Sequence, residues 1–310
     1  MSNNLPDFTG GDEGVFYDMP DEVYRKSPGV SNSMLKAISP DGADPGSPAH
    51  FLAQFSYPQE DTDALFMGRY IHSRILTPDA PLPGIVEIPD TYPAPANCSA
   101  VKQKKVQPGD PLPWHGAATY CKQWEADQVA NGNRPMKAAD IEKIDGVVNA
   151  IAAHPTCKVI FENGTSEVSL FKRYHNGNGM ILRKARLDWV PPGTALVDVK
   201  TCLDARAVKF ARTLWDRRYF VQAAIYLTLW NELNPHDQKT NFVFVAVEKF
   251  APYGIQIFDV SQEDIRAGNW EWRRNLALVI ECMKRGEWPA YPTETQTIKM
   301  QAPYGTALIN

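Results

Sequence analysis

RLDWVPPGTALVDVKT, residues 186–201, is the stretch that decides the fold. Two apolar runs flank the segment Pro191–Gly193, and Pro-Pro-Gly is typical of a tight turn between two strands. We therefore predict an antiparallel hairpin whose strands cover 180–190 and 194–201. If the turn is centred on Gly193, Asp188 and Asp198 lie five residues to either side of it and face each other across the hairpin.

The two facing carboxylates predict a cation site. Like charges directly opposite each other destabilise a sheet, so a cation between Asp188 and Asp198 would explain why apolar strands carry them. Carboxylate oxygens at a site open to water suit Mg²⁺ or Mn²⁺. Lys200 lies two residues after Asp198 and shares its face of the strand, where it could position a water or stabilise phosphate charge. A lone D-x-K also occurs by chance on exposed strands, but the apolar surroundings and Asp188 favour a function.

The remaining pattern predicts an α/β protein with a mixed central sheet flanked by helices and an N-terminal helical part. Further strand-like runs cover 167–174, 241–250 and 255–261, and helix-like runs cover 31–38, 62–76, 117–130, 138–153, 204–233 and 262–285. We expect an extended N-terminal arm at 1–30, a single domain at 31–290 and a tail at 291–310. Within that domain, we expect 31–155 to be mostly helical with a proline-rich loop at 81–113, and 156–290 to form the sheet core.

Composition places the chain among ordinary soluble proteins. Of its 310 residues 44% are hydrophobic and 22% are charged, and the net charge is -4, so the bulk charge gives no argument for nucleic acid or membrane. No apolar stretch approaches the length of a membrane span, and the polar, acidic N-terminus does not resemble a signal peptide. The five cysteines are scattered, which favours free thiols in the cytoplasm and argues against an iron–sulfur cluster.

Other polar residues lie at suggestive spacings. Gln222 and Tyr226 are four apart in the helix-like stretch RRYFVQAAIYLTLW, so they share a face. His72 belongs to the predicted helix MGRYIHSRIL, and Glu167 opens the first predicted strand of the sheet core. Each of these residues by itself is more often structural than functional, and only their combination with Asp188 carries weight.

The ordered set resembles the PD-(D/E)xK nuclease superfamily in its RecB-like branch. DVKT at 198–201 is similar to the D-x-K-T strand of that branch, and QAAIY at 222–226 is similar to its Q-x-x-x-Y helix. YRKSPGVSNSMLKAI at 24–38 further resembles the opening segment of the RecE, or exodeoxyribonuclease VIII, C-terminal nuclease domain. The resemblance covers about residues 15 to 290 and implies a restriction-endonuclease-like fold.

The resemblance also implies roles for individual residues. Asp188 and Asp198 would be metal ligands, together with the backbone carbonyl of Val199 and with His72 as ligand or active-site partner. Lys200 would position the attacking water. Gln222 and Tyr226 would brace the site or touch the DNA backbone, and Glu167 matches a loosely held acidic position. We expect the DNA phosphates to contact the nearby basic residues Arg183, Lys184, Arg186, Lys209, Arg212, Arg217 and Arg218.

The activity that the resemblance implies is a Mg²⁺-dependent exonuclease acting 5′ to 3′ on linear double-stranded DNA. Such enzymes leave a 3′ overhang for a single-strand annealing recombinase, form toroidal homo-oligomers, and would be encoded by a bacterial host, a phage or a prophage. The iron–sulfur variant of the branch is disfavoured because the required cysteines are missing. Two alternatives remain open: a catalytically inactive DNA-binding or recombination accessory module, and a structure-specific endonuclease on the same fold.

Overall fold

The computed structural model describes residues 6–39, 46–57, 62–295 and 297. Its strands in chain order are β1 (Gly14–Phe16), β2 (Val30–Ser31), β3 (Gly84–Glu87), β4 (Thr91–Pro93), β5 (Pro111–Pro113), β6 (Asn133–Met136), β7 (Thr165–His175), β8 (Met180–Val190), β9 (Ala195–Cys202), β10 (Asn241–Glu248) and β11 (Ile255–Asp259). Its helices are α1 (Asp21–Lys26), α2 (Asn32–Lys36), α3 (Pro48–Ser56), α4 (Asp63–Leu76), α5 (Ser99–Lys102), α6 (Thr119–Ala130), α7 (Ala138–Ala153), α8 (Pro155–Glu162), α9 (Ala207–Asp216), α10 (Tyr219–Leu233) and α11 (Gln262–Arg285). The predicted tail at 291–310 lies outside the described residues except for 291–295 and 297.

The central sheet is mixed, as predicted, and most of its strand pairs are antiparallel. Its strand order is β1-β7-β8-β9-β10-β11, and β2 pairs with β8 beside this path. β9 and β10 are parallel neighbours, and a parallel pair requires a crossover connection. The helices α9 and α10 provide it, so the crossover begins directly after the strand that carries Asp198 and Lys200.

Helices cover both faces of the sheet and form two separate hydrophobic cores. On one face, α2, α3, α10 and α11 pack with Leu196 of β9. On the other face, α4, α7 and α8 pack with Val197 and Val199. Since side chains alternate along a strand, Asp198 lies on the face of Leu196, towards α10.

The N-terminal segment differs from the extended arm that we predicted. β1 pairs with β7 at the edge of the sheet, and the six-residue helix α1 follows it. We did not predict the short helix because glycines and prolines surround it in the sequence. Its acidic first turn and basic last turn nevertheless complement a helix dipole. The expected helical part at 31–155 also contains two small sheets, β3–β6 and β4–β5.

The single long helix predicted at 204–233 is in fact two helices. Arg218 separates them with a left-handed backbone conformation, at φ +53°. The two pieces have different environments: α9 buries only Phe210, whereas nine of the 15 residues of α10 are buried. If the helix continued without this break, the exposed α9 would run in line with α10, whose position is in the core.

Candidate active site

The β8–β9 hairpin brings the two predicted carboxylates together. Trp189 pairs with Val197, and this register places Asp188 opposite Asp198. The Asp188 carboxylate reaches across the hairpin, where Oδ2 accepts a hydrogen bond from the backbone N–H of Val199 at 3.0 Å. At the turn, Gly193 has a φ of +89°, a conformation that glycine adopts without steric cost.

Asp198 is the most deeply buried member of the site, at 1% exposure. Its Oδ2 lies 2.6 Å from Lys200 Nζ, and its Oδ1 accepts a hydrogen bond from Gln222 Nε2 at 2.5 Å. Tyr226, one turn further along α10, interacts with Gln222, and the bracing role of this helical pair stays a prediction. The ring of Tyr219, at the start of α10, lies 4.8 Å from Lys200 Nζ.

His72 also belongs to this cluster. It lies on α4, far in sequence from the two strands that carry Asp188 and Asp198. Its Nδ1 lies 3.4 Å from Asp188 Oδ2, and the imidazole also hydrogen-bonds the backbone of Val199. Burial and the positive charge of Lys200 lower the pKa of His72 to about 4. The imidazole is therefore neutral at pH 7, which is the form that can donate a lone pair to a cation.

The carboxylates and the lysine perturb one another strongly. Burial raises the pKa of Asp188 well above its ordinary value, and the neighbouring Asp198 carboxylate raises it further. Burial alone would lower the pKa of Lys200, but the charges of Asp198 and Asp188 outweigh it and raise that pKa. The ammonium is therefore charged at neutral pH and acts as a fixed cation beside the carboxylates.

Glu167 lies at the edge of the same cluster. Its φ of +54° is unusual for a residue with a side chain, and such strain clusters at functional sites. Glu167 forms an ion pair with Arg186 Nε. Burial raises the pKa of Glu167, and Arg186 partly offsets this effect.

Two residues of α1, Asp21 and Tyr24, lie beside Arg186 at this edge of the cluster, and neither was predicted as part of the site. Arg186 Cζ lies 5.7 Å from the centre of the Tyr24 ring, and its Nη1 lies 3.9 Å from Asp21 Oδ1. The acidic start and basic end of DEVYRK at 21–26 were the available signal for a helix, but nothing local indicates that this helix packs against β8.

Three of the seven predicted DNA contacts are buried. Arg183 is enclosed between the rings of Tyr174 and Trp272 and is 1% exposed. Lys184 donates to the backbone carbonyls of Tyr24, Arg25 and Ser27.

The third, Arg218, is 2% exposed and forms an ion pair with Glu271 at 3.6 Å. These three cations face away from solvent, so we leave them out of the proposed DNA surface. Lys209, Arg212 and Arg217 are exposed on or just after α9.

The comparisons with known proteins agree with this geometry. A family described as "PDDEXK-like domain of unknown function (DUF3799)" matches residues 31–301. The chain belongs to this PDDEXK-like family. Its membership confirms the predicted PD-(D/E)xK superfamily and fold, while the closer relation to the RecE domain stays a prediction.

Two of the solved structures that match the chain are described as exonucleases. A candidate exonuclease from Eubacterium rectale matches 88% of this chain and 90% of its own at 14% identity, with a TM-score of 0.54. An alkaline exonuclease from Laribacter hongkongensis matches 55% of this chain and 86% of its own at 15% identity, but its TM-score of 0.27 is too low to support an argument. Among curated protein sequences, none matches the chain.

The donor set fits the divalent cation that the PDDEXK fold implies. No three His, Cys, Asp or Glu side chains among the described residues form a complete metal cluster, but Mg²⁺ usually needs only one or two carboxylates and keeps several waters. Asp188 and Asp198 supply those carboxylates. Asp198 Oδ2 is buried without a well-aligned hydrogen bond, and its contact is the ion pair with Lys200, so this oxygen retains a lone pair that a cation could use.

Proposed function

We propose that this PDDEXK-like protein is a metal-dependent deoxyribonuclease that degrades linear double-stranded DNA from an end. The observation that carries the proposal is the contact of Lys200 with Asp198, opposite Asp188, at the hairpin. The fold shared with the candidate exonuclease from Eubacterium rectale supports exonuclease activity. Mg²⁺ or Mn²⁺, 5′ to 3′ polarity, a homo-oligomer and an annealing partner remain parts of this proposal.

The chemistry follows from the charges of the site. A phosphodiester resists attack because its negative charge repels nucleophiles, and a bound divalent cation would neutralise that charge and acidify water. Asp188, Asp198 and the Val199 carbonyl would hold this cation, with neutral His72 beside them.

Lys200 and Gln222 have distinct tasks in this scheme. The raised pKa of Lys200 keeps its ammonium charged, so it stabilises negative charge on the phosphate and does not act as a base. Gln222 holds Asp198 Oδ1, which leaves Oδ2 directed at Lys200. The strand and the helix thereby fix the two charges relative to each other.

The direct test uses linear duplex DNA labelled at one 5′ or one 3′ end, with Mg²⁺ or with EDTA. We expect degradation with Mg²⁺ only, and loss of activity in Asp198→Asn with an unchanged circular dichroism spectrum. Asp145→Asn, which changes an aspartate in a surface ion pair with Arg74, is the matched control and should retain activity. Full activity in Asp198→Asn would overturn the proposal.

Covalently closed circular DNA separates the alternatives. An exonuclease leaves the circle intact because it has no end, whereas a structure-specific endonuclease cuts or nicks a circle that carries its target structure. An inactive DNA-binding module would bind linear DNA without degrading it under any metal. The order in which the 5′ and 3′ labels are released gives the polarity.

A further inference from the structure

Trp215 is one of two strongly exposed tryptophans, and it lies on α9, the helix that follows the strand of Asp198 and Lys200. Only Trp215 and Trp270 of the eight tryptophans are largely exposed, at 56% and 64%. Exposing so large an apolar side chain forgoes the stability that its burial would give. An exposed aromatic ring of this kind is therefore a candidate contact surface.

The indole of Trp215 is held in place from the protein side. The ring of Phe220 stacks against it at 5.5 Å with an interplanar angle of 8°, and the guanidinium of Arg218 lies 4.5 Å from its centre. Arg218 is itself buried and paired with Glu271. The ring is thus fixed before any ligand arrives, which lowers the entropic cost of binding.

Trp215 is also connected to the catalytic residues by short steps. It packs on Phe220 in the first turn of α10, and the preceding residue, Tyr219, contacts Lys200. A DNA strand whose phosphate reaches Lys200 would therefore place nearby nucleotides along α9.

The charges around Trp215 favour a polyanion over a protein partner. Between positions 203 and 219, four exposed basic residues outnumber two acidic residues, although the whole chain carries a net charge of -4. Arg212 lies one turn before Trp215 on the same face, and its side chain is 82% exposed. A two-fold contact between copies through α9 would bring like charges together, whereas DNA phosphates would match them.

We propose that Trp215 is a stacking platform for an unpaired nucleobase near the DNA end, with Arg212 and Lys209 contacting the adjacent phosphates. The inference rests on the proposed function. Stacking on an aromatic ring tolerates any base because every base has a π-face. The site would thus separate the end of the duplex without reading its sequence.

The test pairs single-base deletions in the DNA with substitutions of Trp215. Duplexes with unpaired ends carry one abasic residue at successive positions from either end, and fluorescence anisotropy gives their affinity in EDTA, where the DNA stays intact. For the native protein, one abasic position should weaken binding by about 5- to 100-fold. In Trp215→Ala this position should lose its effect, and Trp215→Phe should restore part of it.

Trp270→Ala is the matched control. Trp270 is similarly exposed and has an arginine, Arg274, 4.8 Å from its ring, but it belongs to α11, whereas Lys200 contacts Tyr219 at the start of α10. We expect this variant to bind every duplex like the native protein.

The outcomes separate this inference from the proposed function. If the native protein binds and degrades DNA but no abasic position depends on Trp215, the inference is wrong and the nuclease proposal stands. If Trp215→Ala leaves DNA affinity unchanged and lowers the mass measured by sedimentation, the surface is a contact between copies, and the inference is also wrong. If the native protein neither binds nor degrades DNA, both fail.

Discussion

Replacing Lys200 by methionine should destabilise the protein in EDTA, and added Mg²⁺ should restore part of the lost stability. Methionine keeps the length of the side chain but removes the charge that faces Asp198 at 2.6 Å. At an effective dielectric constant of about 20, that ion pair has a Coulomb energy of about 6 kcal/mol. Removing one partner of a buried pair typically costs about 3–5 kcal/mol.

Proton uptake sets an upper limit on this cost. A carboxylate left without its partner can bind a proton, and protonating a carboxyl group of ordinary acidity at pH 7 costs about 4 kcal/mol. We therefore expect the free energy of unfolding of Lys200→Met to fall by about 3–4 kcal/mol in EDTA. For a chain of 310 residues the melting temperature should drop by roughly 4–7 °C.

The metal response gives the sharper readout. In Lys200→Met the two carboxylates have lost their internal cation, so a divalent cation that binds only the folded state should stabilise the variant more than the native protein. Differential scanning calorimetry in EDTA and across a Mg²⁺ titration measures both effects. Nuclease activity should be lost throughout.

Lys239→Met is the matched control for this experiment. Lys239 is also buried, and its ammonium donates to the carbonyls of Pro191 and Gly193 at the turn of the same hairpin. The control should lose stability without gaining a response to Mg²⁺. If Lys200→Met melts like the native protein in EDTA, or responds to Mg²⁺ no more than Lys239→Met does, our reading of the charge balance is refuted.

Two further predictions concern helix packing and DNA contact. Gly268→Ala should lower the free energy of unfolding by about 1–3 kcal/mol, because a Cβ there would lie 2.5 Å from the carbonyl oxygen of Phe220. In Gly68→Ala the new Cβ meets open space, so the free energy of unfolding should rise by up to about 1 kcal/mol. Urea titration measures both changes, and equal effects would contradict the predicted packing. Lys209→Ala should reduce the slope of log DNA affinity against log salt concentration by about 0.9. The control Lys184→Met should change stability but leave that slope unaltered. An unchanged slope in Lys209→Ala would remove this residue from the DNA surface.

Features that depend on neighbouring residues could be predicted from the sequence. The turn at Pro191–Gly193 fixes the register of the strands beside it, so counting was sufficient to place Asp188 opposite Asp198. Gln222 and Tyr226 share a helix face by the period of the helix alone. The family resemblance added His72. No local sequence pattern indicates that His72 lies beside Asp188.

Features that depend on packing between distant segments could not be predicted in this way. Arg183 and Lys184 look like solvent-exposed cations in sequence, yet α1 closes over Lys184, and Tyr174 and Trp272 enclose Arg183 on the other face of the sheet. The N-terminal segment looked like an arm because a three-residue strand and a six-residue helix leave almost no periodic pattern.

The sequence by itself thus predicted which side chains meet at the candidate site, and the tertiary structure decided which charges reach solvent. The physical reason is that strand register and helix period extend over a few residues, where the covalent chain enforces them. Burial is set by contacts between segments far apart in sequence. The same local rules predicted both Arg212 and Arg183 as DNA contacts, but only the packed sheet shows that one is open to phosphate and the other is enclosed by aromatic rings.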